Sequence, residues 1–215
     1  MKTRPYIVRQ GDYLTKLAAL MDFDAEAVWN DASNRELRGK RTNPNILHPG
    51  DVLQIPEDAE PSGASLTAGA AHRFRARRLT AEVKLLLRDF EDVPLSNQPY
   101  RLEGIGPTPL RGVTDAAGNV RFEVPLNLDR VRLVLEGTGR EMWIRVGHLD
   151  PVEEMSGVAK RLEHLGYLRT APFVSDEGRA RLARAIRTFQ DDVGLEATGE
   201  ADDATREALV QRHKS

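Results

Sequence analysis

The spacing of apolar residues changes character three times along the chain. Near the N-terminus a short extended run from Pro5 to Arg9 gives way to helical spacing, with Leu17, Ala18 and Met21 on one side of a helix predicted over Thr15 to Met21. Asp24 is placed to cap a second helix, with Ala27 at its third position and Ala25, Val28 and Trp29 following. The pattern lets that helix run on through Arg35, Glu36, Leu37 and Arg38 until Gly39 stops it. A closing strand is predicted from Asp51 to Ile55, ended by Pro56. The order β-α-α-β predicts two antiparallel strands with both helices on one face.

Further along, the period drops to two. Val83, Leu85 and Leu87 alternate with polar residues, as do Tyr100 and Leu102, then Val120, Phe122 and Val124, then Val131, Leu133 and Leu135, then Met142, Ile144 and Val146. Turn residues separate these runs: Pro94 with Asn97, the stretch from Gly104 to Pro109, Asp115 to Asn119, and Gly137 to Gly139. Five or six short strands at this spacing predict a small sandwich. The helical period then returns. Met155, Val158, Leu162 and Leu165 form one stripe, stopped by Gly166. Leu182, Ile186, Phe189 and Val193 form a second. Asp202 or Asp203 starts a third helix carrying Ala204, Ala208 and Leu209. The expected architecture is therefore multidomain α+β. It comprises a βααβ module over 1–56, a linker over 57–80, a small β-sandwich of immunoglobulin-like kind over 81–149, and a three-helix bundle over 152–213.

Pro61, Ser62, Gly63, Ala64, Ser65, Gly69, Ala70 and Ala71 mark the linker, which then turns basic at His72, Arg73, Arg75, Arg77 and Arg78. Those arginines read as a solvated edge or as a patch for an acidic partner. The 215-residue chain as a whole has no such bias: net charge is -2, which removes a global basic field for nucleic acid, and aromatics at 6% offer few stacking platforms for single strands. The absence of cysteine removes disulfides, thiolate metal sites and cysteine nucleophiles. Met1-Lys2-Thr3-Arg4-Pro5 runs straight into the first strand, with no apolar stretch suited to a signal peptide or a membrane span. The expectation is a protein that is cytoplasmic as synthesised, with no membrane insertion, delivered to periplasm or wall only by a specialised machine.

Catalytic chemistry finds no foothold in the pattern. His48, His72, His148, His164 and His213 form no HExxH or other close ligand pair. His148 and Asp150, flanking Leu149, read as a capped turn. Glu91, Asp92, Glu153 and Glu154 are candidate carboxylates for a glycosidase, but charged runs of this kind are usually solvated faces. Gly104-Ile105-Gly106 lacks the third glycine and helix of a dinucleotide site. No enzyme activity, cofactor or metal is expected.

Two resemblances supply a function. Tyr6, Val8, Gly11, Asp12 and Leu14, with Ile46, Pro49-Gly50, Leu53 and Ile55-Pro56, resemble the opening and closing motifs of a LysM domain. That resemblance implies a shallow groove for N-acetylglucosamine-containing glycans, with Gly11, Asp12, Tyr13 and Leu14 on one wall and Asn45, Ile46 and Leu47 on the other. Two departures stand out: Tyr13 takes a position where Ser or Thr is usual, and the stretch between Trp29 and Asn43 is long. At the other end, Val158, Leu162, Leu165-Gly166-Tyr167, Ala185-Ile186, Phe189-Gln190, Leu195, Thr198-Gly199, Asp202, Thr205 and Leu209 resemble the three-helix peptidoglycan-binding domain. Tyr167 and Gln190 are the ligand-facing candidates this implies. The family's glycine-rich loop after the first helix is replaced here by Ala171 to Gly178.

Gly112 to Val120 is similar to a hairpin of transthyretin-like and carboxypeptidase-regulatory-like domains, with Asp115 accepting from turn amides and Gly118 taking positive φ. Together these features imply a non-catalytic protein that binds peptidoglycan or another N-acetylglucosamine-containing glycan. The alternative is a structural adaptor of a contractile injection apparatus, a type VI secretion or phage-tail-like spike, partnered by spike or toxin proteins. The run Val146 to Val152, leading into Leu165-Gly166-Tyr167, resembles proteins accompanying such spikes.

Overall fold

The computed structural model describes residues 2–60, 67–71, 73, 79–89, 91, 93–169 and 175–215. Pro61 to Ser65, His72, Arg75, Arg77, Arg78, Asp92 and residues 171–174 of the replaced loop lie outside the described residues. The chain divides into two compact units: Met1–Gly39 with Pro49–His148, and Lys40–His48 with Leu149–Ser215. Secondary structure is mixed, with six α-helices and antiparallel sheets among the described residues.

In the first unit, β1 (Thr3–Ile7) pairs antiparallel with β2 (Val52–Pro56), Tyr6 opposite Leu53. Between them lie α1 (Leu14–Met21), α2 (Ala25–Asn30) and α3 (Arg35–Lys40). Asp24 caps α2 as expected, its Oδ1 accepting from Ala27 N at 2.8 Å. The helix does not run through to Gly39. Asp31 adopts ψ 143°, and its carboxylate accepts from Ser33 N at 2.9 Å, starting a 3-10 turn over Ala32–Asn34. An aspartate that competes with the helix for backbone donors breaks it here. The break seats Asn34, which is buried and bonds Val28 O, Gln54 O and Gln54 N, tying the helical segment to β2. Leu14, Leu17, Val28, Leu37, Leu53 and Ile55 fill the space between.

The same unit holds six further strands: β3 (Thr80–Leu86), β4 (Pro99–Glu103), β5 (Leu110–Val113), β6 (Asn119–Pro125), β7 (Arg130–Leu135) and β8 (Glu141–Arg145). They form a β3-β6 pair and a four-stranded sheet ordered β5-β4-β7-β8, antiparallel throughout. Tyr100, Leu102, Val120, Phe122, Val124, Val131, Leu133 and Leu135 join in one apolar cluster, the residues the period-two pattern singled out. The Asp115 turn forms as its sequence implies. Asp115 Oδ1 accepts from Ala117 N at 2.9 Å and Asn119 N at 2.8 Å, and hydrogen bonds led by Asn119 hold its carboxyl below the usual range. Gly118 has φ +80°, and a Cβ there would lie 2.4 Å from Leu87 O, so no other residue fits without moving the chain.

In the second unit, α4 (Met155–His164), α5 (Asp176–Asp192) and α6 (Asp203–His213) enclose Val158, Leu162, Leu182, Ile186, Phe189 and Leu209. Ser175 caps α5 through Gly178 N, and Asp202 caps α6 through Thr205 N. Both α4 and α5 end in the same double-bonded motif: Tyr167 N reaches Leu162 O and Gly166 N reaches Glu163 O, while Leu195 N reaches Gln190 O and Gly194 N reaches Asp191 O. Met155, expected in the first stripe, is exposed instead, while Val158 and Leu162 of the same stripe are buried.

Candidate functional site

The helical domain is organised around a polar node. Gln190 sits on the inward face of α5, 0% exposed, one residue after the core residue Phe189. Its Nε2 lies 3.1 Å from Thr198 Oγ1, 3.0 Å from Glu200 O and 2.9 Å from Thr205 Oγ1, and its Oε1 accepts from Gly199 N at 2.8 Å. A buried amide must find such partners or forfeit its solvation. The node therefore fixes the loop between α5 and α6, and with it the start of α6. Gln190, a ligand-facing candidate from sequence, is placed inside the domain, with its amide oxygen and nitrogen both bonded there. Tyr167 is half-buried, its ring meeting Phe189 edge-on at 5.4 Å and 84°, so it too is turned toward the core.

A second buried polar residue has no counterpart in the sequence reading. Arg161, on α4, is 1% exposed. Its Nη1 donates to Asp150 O at 2.9 Å and Gly157 O at 3.0 Å, and its Nε to Ser215 Oγ at 2.9 Å. Burial lowers its pKa to about 10, against the opposing pull of Glu153 and Asp150, so it stays charged at neutral pH. Beside it, Gly157 lets α4 press against the incoming chain: a Cβ there would lie 1.9 Å from Pro151 O. The signal that could have revealed the pair was Gly157 and Arg161 at i, i+4 beside the stripe of Val158 and Leu162, where a long cation at the core's edge needs bonds. On the same unit, Arg41 pairs with Glu154 at 2.9 Å and Thr42 Oγ1 lies 3.3 Å from Glu153 Oε1, so both carboxylates have polar partners.

His164 and His213 meet where α4 and α6 end. His164 Nδ1 and His213 Nε2 are 2.9 Å apart, with ring centroids separated by 5.2 Å and planes 21° from parallel. One ring must donate and the other accept, so the contact needs at least one neutral imidazole. Burial, followed by the Lys160 charge, lowers the pKa of His164. Burial, then His164 and Arg161, pushes His213 down to about 4. Among the described residues no group of three or more His, Asp or Glu could hold a metal ion. No helix among them is long and apolar enough to cross a membrane.

The expected glycan groove divides between the two units. Gly11, Asp12, Tyr13 and Leu14 belong to the first; Asn45, Ile46 and Leu47 belong to the second, where Asn45 is exposed, Ile46 half-buried and Leu47 buried. Within the first unit the Gly11 turn is closed. Gly11, Tyr13 and Leu14 are buried, and a Cβ on Gly147 would lie 3.0 Å from the Tyr13 ring and 2.9 Å from Gly11 O. Lys16 Nζ donates to Gly11 O at 3.0 Å and pairs with Asp129 at 3.4 Å. Asp12 Oδ2 accepts from Tyr6 OH at 2.8 Å and Arg9 N at 2.9 Å. Burial, with that bond, raises the Tyr6 hydroxyl to about 12. Three of these four residues are enclosed, and the fourth is committed to holding the turn. Sequence could not foresee this, because the covering residues near Gly147 lie far along the chain.

The comparisons with known proteins bear on the second unit. Residues 153–209 match the family model described as "Putative peptidoglycan binding domain". No curated protein and no solved structure matches the chain. The matched span runs from just before α4 into α6 and takes in Arg161, Gln190 and the loop that Gln190 holds. The C-terminal helical domain is thus similar to the peptidoglycan-binding family, which supports a peptidoglycan-binding role.

Proposed function

We propose that this protein is a non-catalytic peptidoglycan-binding protein whose wall contact is made by the helical domain over 152–213. The observation that carries the reading is the family match over 153–209, on a bundle whose inter-helix loop is held rigid by Gln190. A fixed loop presents its backbone groups to a ligand without ordering cost at the moment of binding. The test is co-sedimentation of the full chain with purified sacculi at physiological salt, with released muropeptides followed by chromatography. Saturable retention without new muropeptides is the expected result. Absence of retention rejects the binding claim, and muropeptide release rejects the non-catalytic one.

In this reading the chain is organised as a LysM-like module over 1–56, a linker over 57–80, a transthyretin-like sandwich over 81–149 and the helical domain. The antiparallel β1-β2 pair bracketing α1 to α3 supports the first assignment, and the Asp115 turn supports the sandwich assignment. The enclosure of Gly11, Tyr13 and Leu14 favours a scaffold role for the N-terminal module over a glycan groove. The same enclosure favours a second reading, a structural adaptor of a contractile injection spike, in which such a module holds protein rather than sugar. Recovery of spike or toxin proteins with the tagged chain from its native cell supports the adaptor; recovery of none counts against it.

A further inference from the structure

We propose that the outer face of β7 and β8 around Trp143 is a further peptidoglycan subsite, one that takes a carboxylate-bearing sugar–peptide unit. The proposal rests on the peptidoglycan-binding reading and adds a location in the first unit. Alternation along the strands puts Arg130, Arg132 and Val134 of β7, and Glu141, Trp143 and Arg145 of β8, on the face away from the core. Most charge on this face is self-neutralised. Arg111 pairs with Glu136 at 2.8 Å, Arg101 with Glu103 at 2.7 Å, and Arg132 with both Glu103, at 3.1 Å, and Glu141. The ladder stops at the far end of β7 and β8. There Arg130 stands directly opposite Arg145 in the register, and among the described residues neither has a carboxylate within ion-pair reach.

Two like charges facing each other across a strand pair are unfavourable, and a sheet that elsewhere matches every outward arginine leaves this pair unmatched. Beside the pair, Trp143 opposes Arg132 and is 58% exposed, with the Arg130 guanidinium 4.9 Å from its ring centroid. The guanidinium lies over the indole as a cation–π pair. The result is a largely exposed indole, one face against Arg130, beside two guanidiniums that have no carboxylate partner among the described residues. Peptidoglycan supplies the complement to both: the apolar face of a pyranose ring for the indole, and stem-peptide carboxylates for the guanidinium forks. An uncharged glycan would meet only the ring, and a simple acidic polymer only the arginines. Occupancy of this face together with the helical domain would raise the avidity of the chain for sacculi.

The experiment reads Trp143 directly. In the full chain carrying Trp29→Phe, Trp143 emission is titrated with soluble disaccharide-tetrapeptide, with chitooligosaccharide and with polyglutamate. A saturable change with the muropeptide is expected. It should weaken about tenfold in Arg130→Gln/Arg145→Gln, and about as much when chitooligosaccharide replaces muropeptide. Polyglutamate that binds as tightly as the muropeptide overturns the sugar assignment. As a second measurement, Trp143→Ala in the otherwise unaltered chain should reduce sacculus affinity severalfold. If the unaltered chain is retained on sacculi while Trp143 neither responds nor matters, the subsite is wrong and the binding role stands. If the unaltered chain is not retained at all, the role itself has failed.

Discussion

The helical domain and the four-stranded sheet place their polar groups in opposite ways. The helical domain buries them: Gln190, Thr205 and Arg161 lie inside, each satisfied by a fixed set of partners. The sheet keeps its interior apolar and sets its arginines and glutamates on the outer face, where they neutralise one another in a ladder. A buried polar group costs its full desolvation when a partner is lost, while a solvated ion pair loses little. Structural specificity is therefore concentrated in the helical domain's interior. The sheet's outer charges are left to determine what the surface can attract.

The largest effect should come from Gly157→Ala. The added methyl meets a backbone carbonyl that cannot rotate away, so the helical domain should lose about 3 kcal/mol or more, seen as a lower urea midpoint. Gln190→Ala should follow at about 2–3 kcal/mol, because it leaves Gly199 N, Glu200 O and the Thr205 hydroxyl without their buried partner. A fall much smaller than this would mean that water replaces the amide, and the contrast between interior and face would weaken.

Acid should act next. The folded-state pKa values of His164 and His213 lie below the unfolded value, so the native domain binds fewer protons there. The Lys160 and Arg161 charges of α4 add to this depression at one or both imidazoles, and Glu163 opposes it at His164. Stability contributed by the pair is complete above the unfolded imidazole pKa of about 6.5 and falls as pH drops from there towards about 4. Thermal midpoints measured across that window should fall in the unaltered chain and flatten in His213→Asn. At the small end, Glu103→Gln on the sheet ladder should shift the urea midpoint little, since Arg101 and Arg132 are partly exposed and Arg132 keeps its pair with Glu141. A clear loss there would erase the distinction between the two regions.

The same contrast explains what could be read from the chain. Strand positions were legible because Val120, Phe122 and Val124, or Val131, Leu133 and Leu135, alternate without polar intruders. Asp24 and Asp202 were legible as caps because capping is local. Asp31 was not, since the break it makes is stabilised by Asn34 reaching Gln54 across the module. Gln190 lies next to Phe189 in sequence, and nothing local says that an amide there turns inward to meet Thr205. The Gly11 turn reads as an open loop until distant Gly147 is seen against Tyr13. Residues whose role depends on partners far along the chain were those the pattern misassigned.

The most direct test of the central claim is hydrogen–deuterium exchange of the full chain, free and bound to purified sacculi at neutral pH. Slower amide exchange on the wall within 149–215, including the loop between α5 and α6, is the outcome the account predicts. Retention on sacculi with no change in exchange anywhere in that span would contradict it.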